Sequence, residues 1–514
     1  MPTARIDFIP PDIPGLRFNQ TTPTGGVVSG SPDALMAIGA LSQRGDVVDL
    51  GGVVGLGGVV DLRDIRLNDI PLYPFQKTGI SRILTILQAH GGALMADDMG
   101  LGKTRQAVVV ASMLNPASTL IVCPAGVRHQ WQAEVKTATG ATLANLGPTS
   151  KSKVYGEEWE KWATNKVKYA AVSYNLMAQA LEANRPTLLI LDEPQNHLQS
   201  RGSTYNKTIW KHLSLIRYRL ALTGTPYLAK PAGLWSILYI LLGMRFGRAR
   251  AFDIRYCNGH QGQWGWVNDG ATHMGELSNR LAFYMVRRMK SEVLGELPAV
   301  IQVIRWVEGT KAAATALATM DHTINGMMKA QEHTLIEKMD EVVSVVKGTS
   351  GPTIVFTWLR EHANQLAGLL NKAKLPTISI HGEWEAGERA KLVKQAHDNK
   401  LHVVTTYGAS ATGLDGLQRF SSNVVFHSVN PVPTTTLQAI DRLHRIGQKE
   451  PVTAIFVAMH NSVDELVVDR VINRLDVFGQ ILGRDRAATS LQDALRTSGL
   501  NEEDDLTAVF NSLT

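Results

Sequence analysis

A glycine-rich loop between a short apolar segment and an apolar helical pattern constrains the fold of this chain more than any other feature. The loop covers residues 96–104, has glycines at positions 100 and 102, and ends in Gly-Lys-Thr. These glycines let successive backbone N–H groups curl around a phosphate, and a helix that starts there adds the positive end of its dipole. Residues 91–96 predict a buried strand before the loop, and residues 105–114 predict the helix after it. The pattern therefore predicts a nucleotide-binding α/β domain.

Two acidic residues at the end of a second apolar segment complete the pattern of a nucleotide triphosphatase. We expect Lys103 to reach the β- and γ-phosphates and the Thr104 hydroxyl to bind Mg²⁺. Residues 187–191 predict a strand that leads into Asp192 and Glu193. Asp192 is then placed to hold Mg²⁺ through water, and Glu193 to activate the attacking water. A glycine-rich turn or an acidic helix cap would explain either motif alone but not both, so ATP and Mg²⁺ are the expected cofactors.

Alternating strand and helix patterns occur twice along the chain, which predicts an α/β fold with two successive parallel-sheet domains. The first series of apolar strands is expected at residues 119–123, 169–173, 187–191 and 219–223. The second series is expected at residues 353–356, 377–381, 402–406, 423–427 and 453–458. We expect an accessory segment at 1–70, a first domain with a helical basic insertion at 71–300, a helical linker at 301–350, a second domain at 351–485 and an acidic tail at 486–514.

Residues 1–70 differ from the rest of the chain because they are rich in Pro, Gly and Thr. Three similar six-residue units begin at Val47, Val53 and Val59, a spacing typical of short strands separated by turns. Three units are too few for a β-solenoid. A small β-rich accessory element and a loosely ordered arm both remain open as interpretations.

Composition places the protein among ordinary soluble globular proteins, because 44% of the 514 residues are hydrophobic and 19% are charged. The net charge of +6 permits a polyanionic partner without identifying one. The longest apolar stretch, residues 234–244, is about half a membrane span, and no basic leader precedes an apolar core. With only two cysteines, we expect a soluble intracellular protein of the cytoplasm or nucleoid, or of the host cytoplasm if viral. No structural metal site is expected, since Cys257, His260 and His273 lack the four ligands usual for zinc.

Two further motifs follow strands and suit communication between domains. Thr223 and Thr225 lie at the end of a predicted strand, where small hydroxyl side chains could sense the nucleotide. In the second half, Arg442 and Arg445 lie three residues apart on one predicted helix. Arginines so spaced share a helix face and could reach a γ-phosphate across an interface.

Together these motifs make residues 73–464 resemble the Swi/Snf-like branch of helicase superfamily two, with two RecA-like domains that hold ATP between them. In that family Asp97 is usual in place of the outer glycine of the loop, whereas Pro194 and Gln195 depart from the commoner Ala-His. The resemblance implies catalytic roles for Lys103, Asp192, Glu193, Arg442 and Arg445, with Arg445 favoured as the arginine finger. It implies nucleotide contacts from Gln76, Asp98, Met99, Gly100, Leu101, Gly102, Lys103, Thr104, Gly413 and Asp415, and coupling between sites through Gln195, Thr223, Thr225 and Gln438.

Residues 255–294 resemble the annealing-helicase, fork-remodelling subgroup of that family, through the motifs Arg-Tyr-Cys-Asn-Gly-His and Arg-Arg-Met-Lys-Ser-Glu-Val-Leu. The resemblance implies an ATP-dependent translocase on duplex or forked DNA, largely independent of sequence, that anneals strands or remodels forks. The arginines between the two domains could contact a second strand or form a solvated face. The expected DNA contacts are Pro124, Gln130, Trp131, Arg287, Arg288, Lys290 and Trp358.

Two other functions remain open from the sequence. One is a superfamily-two RNA helicase, although that class would lack the 255–294 segment and the His-Arg-Ile-Gly-Gln ending at 444–448. The other is a catalytically silent, nucleotide-gated protein that recruits partners. That role requires a damaged site, yet Lys103, Asp192 and Arg445 are all present.

Overall fold

Two parallel sheets flanked by helices form the part of the chain that the computed structural model describes. This part comprises residues 16–22, 25–30, 72–149, 153–225, 231–263, 265–294, 297–321, 323–384, 386–411, 414, 416–430, 432–469 and 471. The expected α/β class with two parallel-sheet domains is confirmed by this topology. The six-residue units at 47–64, the nucleotide contacts Gly413 and Asp415, and the predicted acidic tail lie outside the described residues.

The first sheet has seven strands, all parallel, in the order β11-β3-β8-β7-β4-β6-β5. Its strands are β3 (Gly92–Met95), β4 (Thr119–Cys123), β5 (Leu143–Leu146), β6 (Tyr169–Ser173), β7 (Leu188–Asp192), β8 (Tyr218–Leu222) and β11 (Met285–Val286). Its helices are α1 (Pro74–His90), α2 (Lys103–Leu114), α3 (Arg128–Thr139), α4 (Lys153–Ala163), α5 (Met177–Ala183), α6 (Thr204–His212), α7 (Ala232–Leu242), α8 (Ala249–Tyr256), α9 (Met274–Leu281) and α10 (Lys290–Val293).

The second sheet has six parallel strands in the order β12-β17-β16-β13-β15-β14. Its strands are β12 (Val300–Val307), β13 (Thr353–Thr357), β14 (Thr377–Ile380), β15 (His402–Thr406), β16 (Asn423–Phe426) and β17 (Val452–Met459). Its helices are α11 (Lys311–Thr319), α12 (Ile324–Glu337), α13 (Met339–Gly348), α14 (Arg360–Lys372), α15 (Ala386–Asn399), α16 (Tyr407–Ala411) and α17 (Pro433–Ile440). Residues 463–469 are also helical.

Both faces of the first sheet are buried, which explains why its strands appear in the sequence as continuous apolar runs. Alternate residues of β4 point to opposite faces, with Leu120 and Val122 in one apolar cluster and Ile121 and Cys123 in another. Helices cover each face. Burial of this kind leaves the carboxyl ends of the strands as the surface on which polar loops can gather.

The segment at 301–350, predicted as a helical linker, contains an edge strand of the second sheet as well as helices α11 to α13. Strand β12 pairs with β17 along its whole length, from Val300 opposite Val452 to Val307 opposite Met459. Its side chains alternate in burial, with Ile301 48% exposed and Val303 47% exposed while Gln302 is buried. Because an edge strand mixes exposed and buried positions, it lacks the continuous apolar run by which the other strands were predicted.

Two short hairpins lie outside the parallel sheets. Strands β1 (Leu16–Thr22) and β2 (Gly25–Gly30) pair antiparallel within the N-terminal segment, with Leu16 opposite Gly30. Strands β9 (His260–Gly262) and β10 (Gly265–Val267) form a second hairpin beside α8. None of the helices in the described ranges has the length and apolar character needed to cross a membrane.

Candidate nucleotide-binding site

Four loops meet at the carboxyl edge of the first sheet because strands β11, β3, β8 and β7 are neighbours in it. They are the loops after those strands, and they carry respectively residues 287–290, 97–102, 223–225 and 193–195. Crevices at this edge are where open α/β sheets bind ligands. Parallel pairing thus brings together motifs that are more than 190 residues apart in the sequence.

The glycine-rich loop has the backbone conformation of a phosphate cradle. Gly100 and Gly102 have φ angles of 84° and 77°, a left-handed region that glycine enters without strain. Lys103 is the first residue of α2, and its Nζ donates to the carbonyl oxygens of Asp97 at 2.8 Å and Asp98 at 3.2 Å. The lysine therefore folds back over the loop, across the place where a phosphate would lie at the helix N-terminus.

Gln76 supports this loop from helix α1. Its side chain is buried, its Oε1 accepts from the backbone N–H of Tyr73 at 3.1 Å, and its Nε2 donates to the Leu101 carbonyl at 3.1 Å. A Cβ on Gly102 would come within 2.4 Å of the same Nε2. The structure thus ties Gln76 to the loop, while its contact with the base stays a prediction.

The acidic pair is held by a tryptophan. Trp131 Nε1 donates to Asp192 Oδ2 at 2.8 Å, and the indole is 1% exposed. Burial and the neighbouring charge of Glu193 raise the pKa of Asp192 to about 7, while the Trp131 hydrogen bond and the cations of Lys103 and Arg442 act in the opposite direction. A carboxylate buried beside a second one is the environment that a divalent cation stabilises, so Asp192 fits the expected role in binding Mg²⁺.

A chain of hydrogen bonds links the acidic pair to the loop after β8. Gln195 Nε2 donates to Glu193 and, at 3.3 Å, to the Thr225 hydroxyl. The Thr225 backbone N–H donates in turn to Thr223 Oγ1 at 2.9 Å. These contacts connect three of the four residues predicted to couple the sites. The fourth, Gln438, is half-buried on α17 in the second domain.

Arg287 and Arg288, which were predicted to contact DNA, pair with the carboxylates of the glycine-rich loop. Arg287 lies 3.3 Å from Asp98, with both side chains 7% exposed, and Arg288 Nε donates to Asp97 Oδ1 at 3.0 Å. Arg288 also donates to Gln106 Oε1 at 2.8 Å. Guanidinium groups enclosed by such partners stabilise the loop, and their contact with DNA stays a prediction.

The second domain reaches the loop through the turn that follows α17. A Cβ on Gly100 would lie 3.1 Å from Arg445 Cβ, so the backbone of Arg445 passes directly over the loop. Arg445 Nε donates to the Arg442 carbonyl at 3.0 Å. A cavity of about 20 Å³ remains between the domains, lined by Asp98, Met99, Gly224, Thr225, Arg287, Leu437 and Asp441. The structure therefore brings both predicted arginines to the predicted phosphate site.

The remaining predicted DNA contacts differ in accessibility. Gln130 is exposed at the start of α3, and Pro124 is half-buried at the end of β4. Trp131 is enclosed against Asp192, and Trp358 is half-buried after β13, with its ring 6.3 Å from that of Tyr407. Gln130 is the member of this group with the side chain most open to a polymer.

Three residues of the site were not predicted from the sequence. Gln106 Nε2 donates to Asp97 Oδ2 at 3.0 Å, and the Tyr174 hydroxyl donates to the Asp192 carbonyl at 2.9 Å. Asp441 pairs with Lys290 across the domain interface. Asp441 had a sequence signal, since it directly precedes Arg442, and Tyr174 directly follows a predicted strand, whereas Gln106 lies in an ordinary helical pattern.

Comparison with protein families agrees with this geometry. A model described as the SNF2-related domain matches residues 75–349, more than half of the chain, and one described as the helicase conserved C-terminal domain matches residues 335–447. The chain belongs to the SNF2-related family. The resemblance drawn from the motifs is thereby confirmed.

Curated relatives match the same part of the chain. The human protein named DNA annealing helicase and endonuclease ZRANB3 is 28% identical over 446 residues, which cover 80% of this chain and 40% of that protein. A Caenorhabditis elegans homolog of SWI/SNF-related matrix-associated actin-dependent regulator of chromatin subfamily A-like protein 1 is 27% identical over 439 residues, covering 80% of this chain and 62% of that protein. The chain thus spans about two fifths to three fifths of the length of these relatives.

A solved structure titled Sulfolobus solfataricus SWI2/SNF2 ATPase core in complex with dsDNA also matches. It aligns with a TM-score of 0.40 and 20% identity, over 84% of this chain and 96% of that one.

Proposed function

We propose that this protein is an ATP-dependent translocase on double-stranded DNA that anneals strands or remodels forks. The observation that carries the proposal is the meeting of three predicted groups at one place: the glycine-rich loop, the acidic pair and the arginine turn of the second domain. Membership of the SNF2-related family supports it, as do relatives named as annealing helicases. A nucleotide held there touches both domains, so its hydrolysis changes how they fit together.

The site residues suit phosphoryl transfer to water. Lys103 and the backbone N–H groups of the loop neutralise and orient the phosphates, and Glu193 accepts a proton from the attacking water. Thr104 and Asp192 would hold Mg²⁺, which would supply charge stabilisation to the phosphates. Arg442 and Arg445 approach from the opposite side, where negative charge develops in the transition state.

Movement along DNA follows if the two domains bind the polymer tightly in turn. Nucleotide binding closes the two domains on each other, and loss of the γ-phosphate removes the group that Arg442 and Arg445 share with Lys103. Each cycle then shifts one domain relative to the other along the polymer. The chain Glu193, Gln195 and Thr225 offers a route by which the acidic pair senses that shift.

The polymer is held chiefly through its phosphates, so binding shows little sequence preference and weakens steeply with salt. Names of relatives that refer to annealing and to chromatin support DNA as the partner. Gln130, which is exposed, and Pro124, which is half-buried, lie after β4 at the carboxyl edge of the first sheet and support the expected contact with the DNA backbone there.

Steady-state ATP hydrolysis with no polymer, single-stranded DNA, duplex DNA, forked DNA and duplex RNA, at matched low salt, tests the proposal. We expect strong stimulation by duplex or forked DNA. Stimulation by RNA alone would make the protein an RNA helicase, and hydrolysis indifferent to every polymer would favour a partner-binding role.

Lys103→Ala is the control for the site in this assay. It should abolish hydrolysis while DNA binding is largely retained, because Lys103 bonds only to its own loop in the described structure. Full activity in this variant would overturn the site assignment. A strand-annealing assay with wild type and Lys103→Ala then separates annealing that needs hydrolysis from simple DNA binding.

A further inference from the structure

Lys290 joins the two domains at the nucleotide site through contacts of both its backbone and its side chain. Its backbone N–H donates to Asp98 Oδ2 at 3.0 Å, within the glycine-rich loop. Its Nζ lies 2.5 Å from Asp441 Oδ1 and donates to the His444 carbonyl at 2.6 Å, both in the second domain. Lys290 and Asp441 side chains are only 6% and 12% exposed, so water screens this pair weakly.

The two partners of Lys290 in the second domain lie on either side of Arg442. Asp441 directly precedes Arg442, and His444 directly precedes Arg445. His444 is itself held, since its Nε2 lies 2.9 Å from the Pro298 carbonyl. A single ammonium group therefore fixes both ends of the short turn that carries the two arginines.

The backbone hydrogen bonding of this turn is irregular. Helix α17 ends at Ile440, and beyond it the backbone N–H of His444 donates to the Ile440 carbonyl four residues back at 3.0 Å, whereas those of Arg442 and Arg445 donate to carbonyls three and two residues back, at 3.2 Å each. Contacts from outside the turn therefore add to the local hydrogen bonds that hold it. The Cε of Lys290 lies 3.7 Å from where a Cβ on Gly100 would be, so the contact comes from beside the phosphate cradle itself.

We propose that Lys290 is a positioning residue that clasps the arginine turn onto the glycine-rich loop and thereby sets the place of Arg442 and Arg445 during ATP hydrolysis. The inference rests on the proposed function, since it assumes that these arginines act on the nucleotide. It extends that function by naming the contact that couples domain closure to turnover. Lys290 is thus assigned to the domain interface in place of the DNA contact predicted from the sequence.

If Lys290 positions the arginines, its loss should lower kcat while the binding of ATP changes little. In Lys290→Ala, Lys103, Thr104 and Asp192 remain in the first domain, so the affinity for ATP and the KM should change less than about threefold. Misplacement of a charge-stabilising group by about 1 Å costs roughly a hundredfold in rate, so kcat should fall by about that factor. Lys290→Arg should recover part of kcat, because a guanidinium can reach Asp441.

The deciding measurement compares combined variants. If Lys290 acts through Arg442 and Arg445, adding Lys290→Ala to the variant Arg442→Ala/Arg445→Ala should leave kcat unchanged, since both side chains that it positions are already absent. A further fall of kcat in that triple variant would overturn the proposal, as would an unchanged kcat in Lys290→Ala. Should Lys290→Ala fail to fold, Asp441→Asn in the same comparison tests the other side of the clasp. Arg305→Ala is the matched control, because its exposed pair with Glu341 lies within the second domain, and it should leave kcat unchanged.

A distance measurement tests the clasp without hydrolysis. Labels on Lys153→Cys and Lys372→Cys report the separation of the domains, since both positions are exposed and the native Cys123 and Cys257 are buried. With no nucleotide, Lys290→Ala should broaden or lengthen the distance distribution relative to wild type, and an unchanged distribution would overturn the clasp. If the wild type hydrolyses no ATP but Lys290→Ala still changes the distance distribution, the proposed function fails while the contact between the domains stands.

Discussion

Arginines around the nucleotide site and arginines on the outer surface of the first domain have opposite surroundings. The cleft arginines, Arg287, Arg288, Arg442 and Arg445, lie around the glycine-rich loop, where Arg287 and Arg288 pair with Asp98 and Asp97. The outer arginines are exposed, with Arg245 and Arg248 preceding α8 and Arg250 in its first turn. Arg250 lies 4.1 Å from the Trp266 ring and Arg245 lies 5.9 Å from the Tyr284 ring. No ion pair involving an outer arginine occurs among the described residues.

This difference teaches that the presence of an arginine in the sequence does not specify which group its guanidinium binds. A buried guanidinium needs a carboxylate or carbonyl partner, because burial without one is costly, so Arg287 and Arg288 are committed to the carboxylates of the glycine-rich loop. An exposed arginine whose guanidinium lies over an aromatic ring, with no carboxylate partner among the described residues, keeps its charge available to a phosphate. The outer arginines are therefore better placed for a polymer than Arg287 and Arg288.

Loss of a cleft arginine that faces the nucleotide should have the largest effect. Arg445→Ala should leave ATP binding intact but slow turnover by about 10³ or more, as loss of an arginine finger typically does. Steady-state and single-turnover hydrolysis measure this. Arg248→Ala is the matched control among the outer arginines and should keep the kcat of wild type. Unchanged turnover in Arg445→Ala would move the finger elsewhere.

Loss of a cleft arginine that braces the loop should act on stability. Arg288→Ala leaves the buried carboxylate of Asp97 without its strongest partner, which we expect to lower the free energy of unfolding by about 3 kcal/mol. Denaturant unfolding with and without a nucleotide analogue measures this change. If Arg288→Ala unfolds like wild type but binds DNA poorly, the predicted DNA contact was right and the bracing role is wrong.

The acidic pair should make binding and hydrolysis depend on pH in a predictable direction. The pKa of Asp192 is raised to about 7 by burial and Glu193, so the free protein holds a proton there below that pH and must release it to bind Mg²⁺. Activity should therefore fall as pH drops through 7. Because the pKa of Asp192 is higher in the folded than in the unfolded protein, the free energy of unfolding of the free protein should fall as pH rises from about 4 towards 7.

Trp131→Phe sharpens the pH prediction, because it removes a hydrogen bond that lowers the pKa of Asp192. Loss of a hydrogen bond to a charged group should raise that pKa further and move the acidic limb of the pH–rate profile upward by about one unit. Activity at pH 9 should recover most of the wild-type value. A uniform loss at every pH would mean that Trp131 acts on packing or on DNA instead.

The smallest effect should come from the outer arginines. Arg248→Ala/Arg250→Ala removes two exposed charges, so affinity for duplex DNA at low salt should fall several-fold, and the slope of log K against log salt should drop by about two. The free energy of unfolding and the kcat at saturating DNA should stay close to wild type. Unchanged affinity and slope would mean that these arginines form only a solvated surface.

Much of the architecture could be predicted from the sequence because each buried parallel strand appears in it as a continuous run of apolar residues. Residues 119–123, 169–173 and 402–406 were predicted as strands with the bounds observed, and the glycine-rich loop connects a strand and a helix as expected. Strands β5, β11 and β12 were missed. β11 has only two residues, β5 and β12 are edge strands, and such positions have no long apolar run.

The sequence by itself determined the α/β class and the two parallel-sheet halves, and it predicted the glycine-rich loop, the acidic pair and the arginine turn as parts of one nucleotide site. These features are local, since each depends on a few adjacent residues and on the period of apolar side chains. Only the tertiary structure decided that Arg287 and Arg288 brace the loop, that Trp131 orients Asp192, and that Lys290 joins Asp98 to Asp441. Those contacts link residues about 60 to 190 positions apart, and strand order determines which of them meet.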